Sequence, residues 1–156
     1  MKRQSLRISM IATPMMIVCG LLGSGASAMA ESDGGHCSNR TLFGDYGAAV
    51  EGVLIIPGGI QLPFRAVTMN HFDGQGNSTS VEHVVVNGVP LNPGTYWTPG
   101  SGTYTVNPNC TGSAVVIVPG NPLSPINLHF VVVREGKEIR QVVDANAVTA
   151  VGNKVE

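Results

Sequence analysis

The chain has 156 residues, 43% of them hydrophobic and only 12% charged, with nine Lys/Arg against ten Asp/Glu. That balance argues against nucleic acid and anionic membrane surfaces as partners, because both select for a basic face. Twenty glycines and ten prolines, set among runs rich in Val, Ile and Thr, argue against a helical bundle.

The first element is a leader. Lys2, Arg3 and Arg7 form a cationic start, Ile8 to Leu22 an interrupted apolar run, and Gly23 to Ala30 a stretch of mostly small residues. This order is that of a secretory signal peptide. Ala28-Met29-Ala30 carries small residues where a signal peptidase requires them, so cleavage is expected after Ala30, with Ala28 as the alternative. The apolar run is shorter than the ~20 residues a membrane span needs, so no stable membrane insertion is expected after cleavage. A lipidated Cys19 is disfavoured by the large Val18 before it. The expected domains are a signal peptide over 1–30, an N-terminal arm over 31–41 and one β-domain over 42–156. The protein is then exported, to the periplasm or beyond. Cleavage removes three cations and leaves six Lys/Arg against ten Asp/Glu, a formal charge of −4.

Two cysteines remain, Cys37 and Cys110. An even pair in an exported chain most simply forms one disulfide. Free thiols or a metal pair are the alternatives, and two cysteines 73 residues apart make a poor zinc site.

No apolar period of three and four follows the leader. Short β-branched runs alternate instead with Gly, Pro and Asn clusters. Strands are expected over Leu42–Ile56, Gln61–Phe72 and Ser78–Asn87. They are joined by Pro57-Gly58-Gly59 and by the hairpin signal Asp73-Gly74-Gln75-Gly76-Asn77. Gly88–Pro93 reads as a loop. Gly94–Val106 reads as a strand broken by Pro99-Gly100-Ser101-Gly102, its best part from Gly102 onward. The turn Asn107 to Gly112 precedes a strand over Ser113–Val118, and a Pro-rich loop spans Pro119–Pro125. Ile126–Arg134 and Glu138–Asp144 form a hairpin, and Ala147–Val151 is the last strand.

Seven or eight strands joined mostly by short turns predict an all-β fold, a small antiparallel up-and-down barrel, with an open β-sandwich as the runner-up. Trp97 lies in a Pro/Gly-rich stretch, so its place between the two cysteines is not taken as an immunoglobulin signature. Val84-Val85-Val86, Ala114 to Val118 and Phe130 to Val133 are apolar on both faces. With no helix to cover the outer one, a homo-oligomer is expected. An outer-membrane barrel is disfavoured, because aromatics are only 5% and supply no girdle.

Two stretches carry a resemblance. One runs from Cys37-Ser38-Asn39 through Thr41-Leu42-Phe43-Gly44-Asp45-Tyr46-Gly47. The other is Tyr104-Thr105-Val106-Asn107-Pro108-Asn109-Cys110-Thr111-Gly112-Ser113, preceded by His71 to Asn77. Together they resemble a family of small exported microbial proteins of unassigned function. The strand layout is also similar to calycin-like barrels of the allene oxide cyclase and dirigent type. That likeness implies a fold and no catalytic residue.

No nucleophile elbow, phosphate loop or metal cluster is present, and no cofactor is expected. Asp73, Gln75 and Asn77 start like a calcium loop, but position 84 is Val84 and no helix follows, so a plain hairpin is preferred. Asn39, Asn77 and Asn109 head glycosylation triplets that arise readily by chance. Candidate catalytic groups are Glu82, an ionisable residue among valines, with Tyr46 and Arg65. Candidate ligand contacts are Tyr104, His71 and His129, the histidines either converging inside a barrel or lying solvated.

Three functions remain open at this level. The first is an exported module that binds an apolar small molecule or a partner protein. The second is a cofactor-free cyclase or isomerase acting in the barrel interior, and the third a structural surface protein without a pocket. An interior cavity of ~300 Å³ or more would favour the first two. A buried carboxylate beside a tyrosine or histidine would favour catalysis.

Overall fold

The computed structural model describes residues 37–121 and 123–156. The expected signal peptide and the first residues of the arm lie outside them. Among the described residues no helix is long and apolar enough to cross a membrane.

Among the described residues, nine strands follow a short 3₁₀ turn at Asn39–Thr41: β1 (Phe43–Ile56), β2 (Ile60–Asp73), β3 (Asn77–Val86), β4 (Val89–Pro90), β5 (Thr98–Val106), β6 (Thr111–Ile117), β7 (Ile126–Val133), β8 (Glu138–Val143) and β9 (Ala147–Lys154). All pair antiparallel. The order β2-β1-β9-β8-β7-β6-β5-β3, closed by β2–β3, makes an eight-stranded meander barrel, with β4 a short appendage on β3. Every strand of the ring has two neighbours, so the barrel leaves no open edge to template pairing with another chain. The sandwich alternative is thereby excluded.

Three expectations are corrected. Gly88–Pro93 is not wholly loop, because Val89 and Pro90 pair with Val86 and Val85. The last strand continues three residues past Val151, to Lys154. Most informative, Thr98–Val106 is one continuous strand rather than a broken one. Gly100 and Gly102 were read as breakers, yet their missing side chains let the strand fit. A Cβ at Gly100 would lie 2.5 Å from Ser80 Oγ, and one at Gly102 would lie 2.5 Å from the Val115 carbonyl oxygen.

Alternation sets the core. Tyr46, Ala48 and Leu54 of β1, Phe64 and Ala66 of β2, Val84 of β3 and Leu128, Phe130 and Val132 of β7 are buried. At the end closed by the disulfide, Leu42, Tyr46, Tyr104, Val106, Phe130 and Ile139 belong to one packed cluster. At the other end Leu54, Phe64, Ala66, Val84 and Val148 form a second, with Leu91 and Leu123 against it.

The first end is strongly tied. Cys37 and Cys110 form the disulfide. Phe72 stands edge-on between Tyr46 and Tyr104, with ring centroids 5.3 and 5.0 Å away, the preferred geometry of aromatic pairs. The Asn39 side chain accepts from the Val106 N–H at 2.8 Å, so the described part of the arm is held by more than its cysteine.

Candidate functional site

The barrel interior is not fully packed. A chamber of about 80 Å³ lies toward the second cluster, walled by apolar side chains such as Leu54, Phe64, Leu128 and Val148. Five polar residues also line it: Asn70, Ser80, Glu82, Asn121 and Gln141. A further chamber of about 40 Å³ lies toward Leu42, Phe72 and Ile139. Both chambers are lined by Asn70, Val116, Leu128 and Gln141, so these side chains stand between two neighbouring cavities. An eight-stranded barrel has an interior of this scale, wide enough for side chains or one small ligand.

Two side chains give the larger chamber its character. Ser80 and Glu82 stand two positions apart on β3, and so on its inner face. Glu82 is only 9% exposed. Burial holds its carboxyl above the ordinary 4.5, while the hydrogen bond from Asn121 pulls the other way. That bond is long, Asn121 Nδ2 donating to Glu82 Oε1 at 3.4 Å. The orientation of the Asn121 amide follows from its own loop, since Oδ1 accepts from the Leu123 N–H at 2.9 Å and Nδ2 is left for the carboxyl.

Ser80 Oγ is buried and has no hydrogen-bond partner among the described residues. Its register partner is Gly100, whose lack of a Cβ leaves room for the hydroxyl. Leaving a buried hydroxyl unpaired costs about 1–3 kcal/mol, so such a group calls for a functional account.

The residues singled out in the sequence are dispersed by the fold. Glu82 lines the chamber, whereas Tyr46 and Tyr104 line neither chamber and have occupied hydroxyls. Tyr46 donates to the Gly136 carbonyl, and Tyr104 to the carbonyls of Leu42 and Asn39 at 3.0 and 3.2 Å. Burial raises the pKa of both phenols. Arg65 lies on the outer wall, 3.8 Å from Glu51, and donates to the Phe64 carbonyl. The histidines of the strands also lie outside. His71 pairs with Asp45 at 2.8 Å and His129 with Asp144 at 3.0 Å, while His83 Nδ1 is 2.7 Å from the Tyr96 carbonyl oxygen. Among the described residues no three His, Cys, Asp or Glu side chains gather as a metal site. Asp73 is fully engaged as a turn former, its Oδ1 accepting from the N–H groups of Gln75, Gly76 and Asn77. Those bonds and the Asn77 amide pull its pKa down to about 2.

Sequence reasoning missed Ser80, Asn121, Asn70 and Gln141. A serine in a polar strand and an asparagine in a Pro-rich loop carry no signal by themselves. Their position on the inner wall emerges only with the register.

No protein-family model, no curated protein and no solved structure matches the chain. The likeness to calycin-like barrels rests on the closed eight-stranded antiparallel meander itself.

Proposed function

We propose that this is an exported binding module that holds a narrow, uncharged ligand inside the barrel, mostly apolar and with one hydrogen-bonding head. The observation that carries this reading is the Ser80 hydroxyl, unpartnered among the described residues, two positions from a buried Glu82 in a mostly apolar chamber. A head such as an amide or hydroxyl would give Ser80 its partner. It would also exchange hydrogen bonds with Glu82 more favourably than the long contact from Asn121. A ligand carrying its own negative charge would meet a carboxyl already destabilised by burial.

Size narrows the class. The chamber holds about 80 Å³, so the interior cavity of ~300 Å³ or more expected of an ordinary small-molecule pocket is not found, and the binding reading rests on the polar groups and requires a smaller ligand. The chamber is nearer half of the ~150 Å³ apolar cavity known to accept benzene. A larger ligand would have to displace the dividing side chains and extend into the neighbouring cavity. Catalysis is the weaker reading, because Glu82 is the one ionisable side chain among the described residues that line the two chambers. Export is supported by the leader and by the Cys37–Cys110 disulfide, a bond that persists in oxidising compartments.

The test is a nuclear magnetic resonance titration with short amides and primary alcohols, against alkanes and alkanoates of equal length. The amides and alcohols are expected to shift the backbone resonances of Ser80, Glu82 and Gln141, and the alkanoates not to at neutral pH. Ser80→Ala should weaken the amide and alcohol binding about tenfold, the equivalent of one hydrogen bond of ~1.4 kcal/mol. The proposal fails if no probe reaches these residues, or if binding ignores the Ser80 substitution.

A further inference from the structure

The outer wall of β9, β1, β2 and β3 carries a cluster of apolar side chains where a solvated barrel face would be polar. Val67, Met69, Val81 and Val151 are 49%, 41%, 40% and 45% exposed. Register sets the wall out in rows. Val151, Ala49, Val67 and His83 lie side by side across the four strands, and Thr149, Glu51, Arg65 and Val85 form the next row. Together they floor a shallow groove of about 490 Å³. At its β3 side stand two exposed rings, Tyr96 and Trp97, 68% and 54% exposed, each with its centroid 6.2 Å from that of His83. Exposed aromatics beside a mostly apolar floor mark an interaction surface.

We propose that a second copy of this chain occupies that wall, in a two-fold homodimer. Charge selects the occupant. The floor of the groove carries one cation and one anion, Arg65 and Glu51, directly opposite each other across β1 and β2, and further along the same two strands Asp45 lies opposite His71. An isologous contact must be complementary to itself. A two-fold axis running along the strands, midway between β1 and β2, exchanges the two sides of the wall. It sets Glu51 against the partner's Arg65, Ala49 against the partner's Val67, and Val151 against the partner's His83. Ala49 thus meets an apolar partner and each charge meets its opposite, while the outer positions set Val151 against the partner's His83 and Thr149 against the partner's Val85. A foreign surface of either sign would leave one of the two charges facing its like. Within one chain the Glu51–Arg65 pair is 64–69% exposed, a setting in which ion pairs contribute little, so its placement is better explained by what it faces.

The test is sedimentation equilibrium of the purified, disulfide-bonded protein across a concentration series. A reversible monomer–dimer equilibrium is expected. Arg65→Glu alone and Glu51→Arg alone should each weaken dimerisation at least about tenfold, because like charges then face each other. The double exchange should restore it. Both positions are exposed, so unchanged far-ultraviolet circular dichroism is expected for every variant. A monomer at all concentrations, a cyclic trimer, or a dimer indifferent to the single reversals overturns the proposal. Ser80→Ala should leave the dimer constant unmoved, which keeps this result separate from that of the interior site.

Discussion

Both ends of the barrel interior contain buried polar groups, and they treat them differently. Toward the disulfide, each buried phenol is spoken for: Tyr46 reaches Gly136, and Tyr104 reaches Leu42 and Asn39. Toward the Asn121 loop, Ser80 has no partner among the described residues and Glu82 has one long contact. Polar groups that rigidify a core are satisfied by the chain itself. Those left under-satisfied, in a chamber with room beside them, are available to something else. The contrast separates a stabilising end from a receptive one within a single small barrel.

Substitutions should break this contrast in opposite directions. The largest effect is expected from replacing Cys37 and Cys110 by serine. The bridge spans 73 residues, and chain entropy puts the loss at about 4 kcal/mol. Thermal denaturation of the double variant should show a large fall in Tm, with the amide titration of Ser80 preserved below it. Next comes Tyr46→Phe, which strands the Gly136 carbonyl in a buried setting at a cost of about 1–3 kcal/mol, readable by urea denaturation.

The smallest effect, and the one of opposite sign, is expected from Glu82→Gln. The folded carboxyl titrates above its ordinary value because it is buried. The folded state therefore holds that proton more tightly than the unfolded one. Its contribution to stability is full below about pH 4.5, the ordinary value, and is lost as pH rises through the folded value. Glutamine has no charge to desolvate, so the variant should equal or exceed the parent in Tm at neutral pH, by a few degrees at most. The gap should close on acidification toward pH 4. A variant destabilised as much at pH 7 as Tyr46→Phe would show that Glu82 is a structural strut, and would erase the distinction between the ends.

Much of the fold was legible because its signals are local. Asp73 to Asn77 and Asn107 to Gly112 announce their turns, and the cysteine pair announces its bond. Thr98–Val106 misled because Pro and Gly weaken strands on average, whereas Gly100 and Gly102 are required here by close approach. The site was less legible for a different reason. When a strand is apolar on both faces, as Val84-Val85-Val86 is, period two cannot say which set points inward. Glu82 stood out as an ionisable residue among valines. Arg65 and the histidines shared that oddity, and only register put them on the outer wall with Glu51, Asp45, Asp144 and Tyr96.

The pairing of β1 with β9 has a consequence of its own. Because Tyr46 faces Lys154 and Val53 faces Ala147, the strands earliest and latest in the chain are immediate neighbours. The ring therefore has no first strand in space, and the order of synthesis is written only in where the backbone is cut. Cutting instead at the exposed Pro57-Gly58-Gly59 turn and linking across the β9–β1 seam would describe the same cylinder. Until β9 is made, however, β1 and β8 each have only one of their two neighbours. Closure is thus a late event, and a chain shortened before Ala147 would present two unpaired edges at once.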